Sequence, residues 1–448
     1  MPDENVTRPH NPAWRVCRIE QFDAQGRGTG PTDTGGRLAI PFTIPGEGVE
    51  AEKLRRKEGR LRRILEPSPA RTEPACRHFG ACGGCAWQHI AYENQLQFKL
   101  EKFRDRMAAL KLKPEEESLG IVPSPPYGYR NRMDFIWWHD GRFGLRERGK
   151  WYSVTDLREC HLLPREVMQT AFEVNRRAHA LGLPFRDTKR HTPGLRYLVV
   201  RRGVFTGDLL LNLVSDPMEL PASLWENLPG VTGVYQLVND NLENDLSDGV
   251  PVHLAGEKAY TERILGHTFR VGPRSFFQPN PAVAEVMAAS VRGLVSQREP
   301  RGGLIDLYCG IGLFSVCLAD QFEHVTGVEN NPDALHWAGL NAGGLPISFA
   351  AADAEAWLAE PRGGFDTLLV DPPRTGLPSR VIQSLLGQSF RHIVYVSCNP
   401  ARGLENLAAL SGHYRLLTMR LFDQFPQTPH VEMIAGMERR ESSSAGSA

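Results

Sequence analysis

Long hydrophobic runs are missing from this 448-residue chain. No stretch of about 18 apolar residues occurs, which excludes a transmembrane helix. The opening MPDENVTRPHNPAWR lacks the apolar segment of a secretory leader, so a cytoplasmic protein without membrane association is expected. Cysteine is scarce. Eight in all cannot make a disulfide scaffold, and without an export signal they read as free thiols or metal ligands. There is no GxxxxGKS/T stretch, which excludes a P-loop nucleotidase. No internal repeat is present. Net charge is also missing, with 52 Lys and Arg against 52 Asp and Glu.

What is there is unevenly placed. Residues 1–202 hold 36 Lys and Arg against 25 Asp and Glu, and the remainder holds 16 against 27. A basic front half on an acidic back half suggests that one part meets a polyanion while the other does different work. At roughly 150 residues per domain, the length suggests about three domains.

The pattern along the chain divides it accordingly. Residues 12–67 read as short strands between glycine turns, a small β-barrel, and include a basic run from Lys53 to Arg63. Pro67, Pro69 and Pro74 mark a linker. Residues 92–112 carry Leu96, Leu100, Phe103, Met107 and Leu110 at helical spacing, and a helical segment, 92–124, is expected to pack on the catalytic domain. Residues 68–91 and 125–265 form a central α+β domain with one helix near 164–181. From 266 to 438, strand-like and helical runs alternate, which predicts a doubly wound parallel sheet with ligand sites at its carboxyl edge. The last two strands lack a helix between them and should pair antiparallel at one edge. Residues 439–448 read as a disordered tail.

Chemistry-bearing residues cluster at that edge. In DLYCGIG (306–312), Gly310 and Gly312 let backbone approach a ligand closely. The next strand ends in Glu329, about 20 residues on, where a carboxylate would grip ribose hydroxyls. The third ends in Asp353, a carboxylate suited to the neighbourhood of an adenine ring. Together these fit a nucleoside-containing cofactor. In VDPPRTG (370–376), Pro372 and Pro373 stiffen the loop behind Asp371. In VSCNP (396–400), Cys398 follows the next strand, and an ionised thiol there can attack electrophilic carbon. TPHVE (428–432) brings Glu432 to the same crevice, a position suited to a general base. His430 alone reads as a packed or hydrogen-bonded histidine. Cys17 and Cys317 read as packing residues.

The front half holds Cys76, Cys82 and Cys85 in a C-x5-C-x2-C pattern, with Cys160 as the best fourth ligand. Four thiolates suit Zn²⁺ or an iron–sulfur cluster, and three clustered cysteines plus one distant favour a 4Fe–4S cluster. Arg and Lys interleaved with aromatics at 129–151, 189–202 and 275–280 supply phosphate contacts and stacking faces, although at least half of those residues should be ordinary strand faces.

Taken together, these stretches resemble the RNA 5-methyluridine methyltransferases, the uracil-C5 family acting on rRNA and tRNA, over about residues 12–437. The resemblance implies a multidomain α/β protein. Its parts would be an N-terminal OB-like barrel of the TRAM type, a central α+β domain with an iron–sulfur cluster, and a C-terminal Rossmann-like S-adenosylmethionine-dependent methyltransferase fold. Cys76, Cys82, Cys85 and Cys160 match the cluster ligands of a 4Fe–4S subgroup that acts on 23S rRNA. SFFQPN (275–280) implies that Gln278 contacts S-adenosylmethionine and that Phe276 packs on the target base. Tyr308, Glu329, Asp353 and Asp371 fall on cofactor-contacting positions, Cys398 on the nucleophile and Glu432 on the base. Two departures stand out. The family continues after SCNP with Thr and then Arg-Asp, where this chain has ARGLENL, and Leu313 follows the glycine turn where relatives can offer a polar side chain.

The resemblance implies 5-methyluridine formation through a covalent bond between Cys398 and uracil C6. The expected partner is RNA, 23S rRNA first and uridine 54 of tRNA as the alternative, with no obligate protein partner and a monomeric chain. The cluster is expected to be structural or RNA-positioning. An amino-directed methyltransferase would need neither Cys398 nor Glu432, and a non-catalytic RNA-binding protein would not bind S-adenosylmethionine.

Overall fold

The computed structural model describes residues 14–116, 119–241, 249–297, 302–360 and 363–441. The segment expected to be loose at the N-terminus, and all but three residues of the expected disordered tail, lie outside these ranges.

Six short strands come first: β1 (Trp14–Arg18), β2 (Gln21–Phe22), β3 (Gly28–Pro31), β4 (Arg37–Ile40), β5 (Gly48–Lys53) and β6 (Gly59–Glu66). They form two antiparallel three-stranded sheets, β1-β5-β6 and β2-β3-β4. Bridges from Cys17 to Thr32 and from Ala39 to Glu58 tie the sheets together over a core of Cys17, Ile19, Leu38, Ile40, Val49 and Ala51. The sheets approach so closely at Gly30 that a Cβ there would lie 1.7 Å from the Arg18 carbonyl oxygen. Only glycine fits at such a contact. The proline-rich stretch that follows is not a loose linker. Arg71 Nε donates to buried Glu47 Oε1 at 2.6 Å, and Thr72 N donates to the His89 carbonyl at 3.0 Å.

Helix α1 (Tyr92–Ala109) packs on the C-terminal sheet through Phe103 and Met107. Its inner face departs from the apolar pattern. Gln95 and Lys99 are buried and Leu96 is not, because buried partners await those two polar groups. After β7 (Ile121–Val122) come β8 (Arg132–Trp137), β9 (Phe143–Glu147), β10 (Lys150–Asp156), α2 (Arg165–Ala180), β11 (Leu195–Arg202), β12 (Leu209–Ser215), β13 (Val231–Val238) and β14 (Val250–Gly256). These seven strands order as β10-β9-β8-β11-β12-β13-β14. Alternation sorts their faces. Met133, Phe135 and Trp137 enter the core under α2, while Arg132 and Asp134 point the other way, lining a separate cavity.

The hairpin β15 (Tyr260–Ile264) and β16 (His267–Val271) straddles the boundary expected at 265/266. Tyr260, Ile264, Phe269 and Val271 share one core with α3 (Pro281–Ser296), so the hairpin acts as a single unit. The C-terminal half then alternates β17 (Gly303–Leu307), α4 (Leu313–Leu318), β18 (His324–Glu329), α5 (Pro332–Ala342), β19 (Ile347–Ala351), α6 (Ala354–Leu358), β20 (Phe365–Val370), α7 (Ser379–Leu386), β21 (His392–Ser397) and α8 (Pro400–Leu410). It closes with β22 (Tyr414–Phe422) and β23 (Glu432–Arg439). The strand order is β19-β18-β17-β20-β21-β23-β22-β7. Five strands are parallel. The last two pair antiparallel, but β23 inserts between β21 and β22, and the short β7 covers the outer side of β22. Both faces are buried, Leu304 and Leu369 in one core and Ile305 and Leu368 in the other, as a helix-covered parallel sheet requires. Among the described residues, no helix is long and apolar enough to cross a membrane.

Candidate active site

Strand order reverses at β17, which has β18 on one side and β20 on the other. Such a switch point opens a crevice at the strand carboxyl ends. Tyr308 leaves β17 with φ +67°, and its N–H donates to the Val328 carbonyl at 2.9 Å. That conformation costs a non-glycine residue about 1–2 kcal/mol, so packing must hold it there. Burial, then Asp353 and Glu329, raise the Tyr308 hydroxyl pKa. Gly310 has φ +55° and open space where a Cβ would be, and its N–H donates to Glu329 Oε2 at 3.1 Å. Glu329 Oε1 accepts from Asn330 N and Asn331 N, both at 2.9 Å. Asp353 Oδ1 accepts from Asn330 Nδ2 at 2.8 Å. One wall thus carries a tyrosine and two carboxylates held by local bonds, beside a glycine turn.

Asp371 leaves β20 on the opposite side. Burial, and next Asp306, push its carboxyl up to about 7. Gln278 Nε2 approaches Asp371 Oδ2 at 3.5 Å. Gln278 is itself fixed, accepting from Gln424 Nε2 at 3.0 Å, while its carbonyl accepts from Asn131 Nδ2 at 2.9 Å. Asp306 lies beneath the turn, fully buried, with Oδ2 accepting from Ser315 N at 2.8 Å and Oγ at 2.6 Å. Burial raises it to about 6.

Cys398 follows β21, and Glu432 opens β23. The antiparallel register pairs Ser397 with Met433, so the next position outward sets Cys398 opposite Glu432. Burial, then Glu432 and Asp371, raise the thiol to about 11, against which Arg374 pulls it down. Glu432 is 2% exposed, and burial followed by Asp371 raises its carboxyl well above the ordinary value. A thiol, a proton-holding carboxyl and a cation therefore share one spot, and this set can form and release a covalent bond while moving a proton.

The loop before Glu432 is tightly tied. Lys99 Nζ donates to Asp423 Oδ1 at 2.6 Å, and both side chains are fully buried. Tyr92 Oη donates to Asp423 Oδ2 at 2.9 Å. Gln427, at φ +68°, accepts on its carbonyl from Ala86 N at 2.9 Å and Trp87 N at 3.0 Å, accepts on Oε1 from Gln95 Nε2 at 3.0 Å, and donates its backbone N–H to Gln95 Oε1 at 3.0 Å. The segment just past the cysteine loop thus holds the loop that carries Glu432. His430 is exposed, edge-on to Phe425, and not packed into a core.

Cys76, Cys82, Cys85 and Cys160 line one cavity of about 20 Å³. All four are free thiols, and burial raises every one of them, Cys85 to about 11 and Cys160 to about 12. They do not converge as a site for one metal ion; among the described residues no His, Cys, Asp and Glu set does. The chemistry of the donor set still fits a thiophilic group larger than one ion. Phe276 is 66% exposed and lines a cavity with Arg132, Asp134 and Tyr197.

A family model described as tRNA (uracil-5-)-methyltransferase matches residues 262–343 and 362–440. The tRNA (uracil(54)-C(5))-methyltransferase of Pyrococcus horikoshii is 33% identical, covering 89% of this chain and 95% of that protein. The 23S rRNA (uracil(747)-C(5))-methyltransferase of Pyrococcus furiosus is 34% identical, covering 90% and 95%. The chain belongs to the RNA uracil-5 methyltransferase family. Among solved structures, the Pyrococcus abyssi tRNA (uracil-54, C5)-methyltransferase bound to S-adenosyl-L-homocysteine superposes with a TM-score of 0.78 at 29% identity, over 94% of this chain and 99% of that one.

Against this family, the methyltransferase's departure after SCNP finds its support elsewhere. Asn399 Nδ2 donates to the Arg374 carbonyl at 2.9 Å, and Asn406 Oδ1 accepts from Leu377 N at 2.9 Å and Tyr395 Oη at 2.7 Å. Asn399 is the N-cap residue of α8 and Asn406 lies in its middle, and together they tie the helix to the DPPRTG loop and the Leu377 that follows it. Leu313 packs into the core instead of facing a ligand. The sequence reading missed Arg374, Asn406, Gln424 and Asp306. Arg374 lies inside a motif already singled out, and a cation between two carboxylates was the available signal. Gln424 and Asn406 carry no signal in one sequence, since their roles depend on distant partners.

Proposed function

We propose that the protein methylates C5 of a uridine in RNA, with S-adenosylmethionine as methyl donor, through a covalent Cys398–uracil adduct. The single observation that carries this is the register setting Cys398 opposite buried Glu432, with Asp371 and Arg374 beside them. An amino-directed methyltransferase needs neither group.

Uracil C5 is a weak nucleophile. Bonding of the Cys398 thiolate to C6 moves an electron pair toward C5 and O4, and C5 becomes nucleophilic. The donor supplies an electrophilic methyl group on a sulfonium. Once C5 carries the methyl, Glu432 takes the C5 proton, and the electron pair left behind expels the Cys398 thiolate. Glu432 suits this task because burial gives its carboxylate a high proton affinity. Arg374 favours the thiolate against the two carboxylates. Gln278, Tyr308, Glu329, Asp353 and Asp371 are assigned to the donor, with Glu329 and Asp353 facing its ribose and adenine. Phe276 is assigned to packing on the target base.

The front regions are assigned to RNA. Residues 12–67 act as an OB-like module of the TRAM type, supported by the small two-sheet core and the exposed basic residues from Lys53 to Lys57. Residues 68–91 and 125–265 form the central domain, 92–124 its link to the catalytic part, and 266–438 the methyltransferase domain. Cys76, Cys82, Cys85 and Cys160 would hold a 4Fe–4S cluster. A shared cavity favours this group over Zn²⁺, since one ion needs thiolates converging at about 2.3 Å from a single point. The cluster has no redox task in this reaction, so structural support is its role.

A uridine of 23S rRNA is the proposed target, in a loop or single-stranded stretch from which the base can leave its stack. Uridine 54 of tRNA is the second reading, favoured by the relatives that carry that name. Mass spectrometry of 23S rRNA and tRNA from a strain lacking the protein separates them. One missing 5-methyluridine in 23S rRNA supports the first, one missing in tRNA the second, and an unchanged complement in both overturns uracil methylation.

A further inference from the structure

The SFFQPN segment divides two cavities. Gln278 turns toward Asp371 in the catalytic crevice, while Phe276, Phe277 and Pro279 line a separate cavity of about 540 Å³. None of Cys398, Glu432, Asp371, Tyr308, Glu329 or Asp353 borders that second space. Its volume lies within the usual range for a small-molecule cleft, about 300–1,000 Å³.

The lining is unusual for a strand face. Arg132, Asp134 and Ile136 project from β8 on one side, and Tyr197 and Arg201 from the paired β11, with Ile136 opposite Tyr197 and Arg132 opposite Arg201. These side chains are held in place. Asp134 accepts from Arg132 Nε at 2.8 Å and Nη2 at 3.1 Å. Arg146 lies 5.1 Å from the Trp138 ring centroid and its Nη1 donates to the Trp151 carbonyl at 2.5 Å. Among the described residues, two buried guanidinium nitrogens at this cavity, Nε of Arg130 and of Arg201, have no partner, while the Arg201 terminal nitrogens donate to the Pro273 and Ser275 carbonyls. Phe276 is largely exposed while its neighbour Phe277 is 6% exposed, so one ring of the pair is presented and the other anchors it.

We propose that this cavity binds a second unstacked nucleotide of the substrate RNA, adjacent to the target uridine. Phe276 supplies the stacking surface, the partly exposed Arg132 and Arg146 bind phosphate or base acceptors, and Asp134 accepts from a base amino or imino group. These are the contacts that single-stranded RNA offers. An aromatic ring has two faces, so Phe276 can separate two bases, one entering each cavity. Gly84, Leu145 and Leu162 border both this cavity and the cysteine cavity, so the cysteine loop forms part of the nucleotide-binding wall.

This inference rests on the uracil-methylation reading, and the test separates the two. Transcripts of 23S rRNA domains and of tRNA are assayed for methylation. In the one that is methylated, each of the three nucleotides on either side of the target uridine is replaced by an abasic residue. Binding is read by fluorescence anisotropy and methylation by KM and kcat. The wild-type protein should lose about tenfold in affinity at one flanking position, with KM rising more than kcat falls. Asp134→Ala combined with Arg146→Ala should bind intact RNA about tenfold more weakly and no longer respond to that abasic position. Asp134→Asn, a smaller change less able to disturb folding, should show the same indifference in part. If no flanking position matters to the wild type, or if the variants respond to abasic substitution as the wild type does, the nucleotide cavity is wrong and uracil methylation stands. If neither RNA is methylated, the functional reading fails and this proposal falls with it.

Discussion

Two regions of this molecule gather sulfur, and burial raises their thiols alike. Cys398 is pushed up to about 11, and so is Cys85. Proton affinity therefore does not tell a reactive cysteine from a structural one. Surroundings do. Cys398 lies at a sheet edge, opposite a buried carboxyl and beside Arg374, where a ring could be attacked and a proton removed. The four front cysteines share a small cavity with Phe79, three leucines, Gly84, His78, Gln88, Glu159 and His161. On the proposed reading, the first site is arranged for bond-making and the second for holding something in place.

The sharpest break between them is mutational. Cys398→Ala should abolish methyl transfer, a loss of at least about 10³-fold, while leaving RNA binding intact. Cys160→Ala should instead lower thermal stability and RNA affinity, with residual methyl transfer. Single-turnover assays beside binding measurements check both, and the reverse pattern would contradict the assignment. Glu432→Gln comes next, with kcat falling about 10²–10⁴-fold. Its signature is accumulation of the protein–RNA adduct on denaturing gels, because the C5 proton cannot leave.

Smaller effects sharpen the contrast between regions. Lys99→Met leaves Asp423 buried without its counter-charge and held only by Tyr92, a cost of about 3–5 kcal/mol. Thermal unfolding should show it, and Asp423→Leu in the same chain should recover most of it, since an apolar pair needs no charge partner. Asp371→Asn tests whether the crevice is kept at a cost to stability. A carboxyl raised to about 7 binds its proton more tightly folded than unfolded, so its favourable contribution is complete below about pH 4 and is lost as pH rises through 7. The variant should gain most at pH 8, a smaller part of that at pH 5 and little below about pH 4, and lose methyl transfer. For the free enzyme, kcat/KM should climb with pH across the neutral range, because Cys398 and Glu432 both hold protons that the reaction needs removed.

Strand–helix alternation from 303 onward, the glycine turn and the carboxylates ending successive strands could be read from the sequence because each is local. Helix α1 shows where such reading ends. Its apolar period pointed to Leu96, yet Gln95 and Lys99 occupy the inner face, since Asp423 and Gln427 lie more than 300 residues away in sequence. Asn406, which steadies the loop after Asp371, was invisible for the same reason. The arginine-aromatic mix at 129–151 was visible in the sequence, but only strand alternation in three dimensions set the partly exposed Arg132 and Asp134 apart from Met133, Phe135 and Trp137 in the core.

The measurement that bears most directly on the central claim is covalent trapping. RNA carrying 5-fluorouridine at the target position has no C5 proton to remove, so the adduct cannot be released after methyl transfer. Incubation with S-adenosylmethionine should yield a stable protein–RNA species whose peptide map places the nucleotide on Cys398. Normal turnover of ordinary RNA with no such species would contradict it.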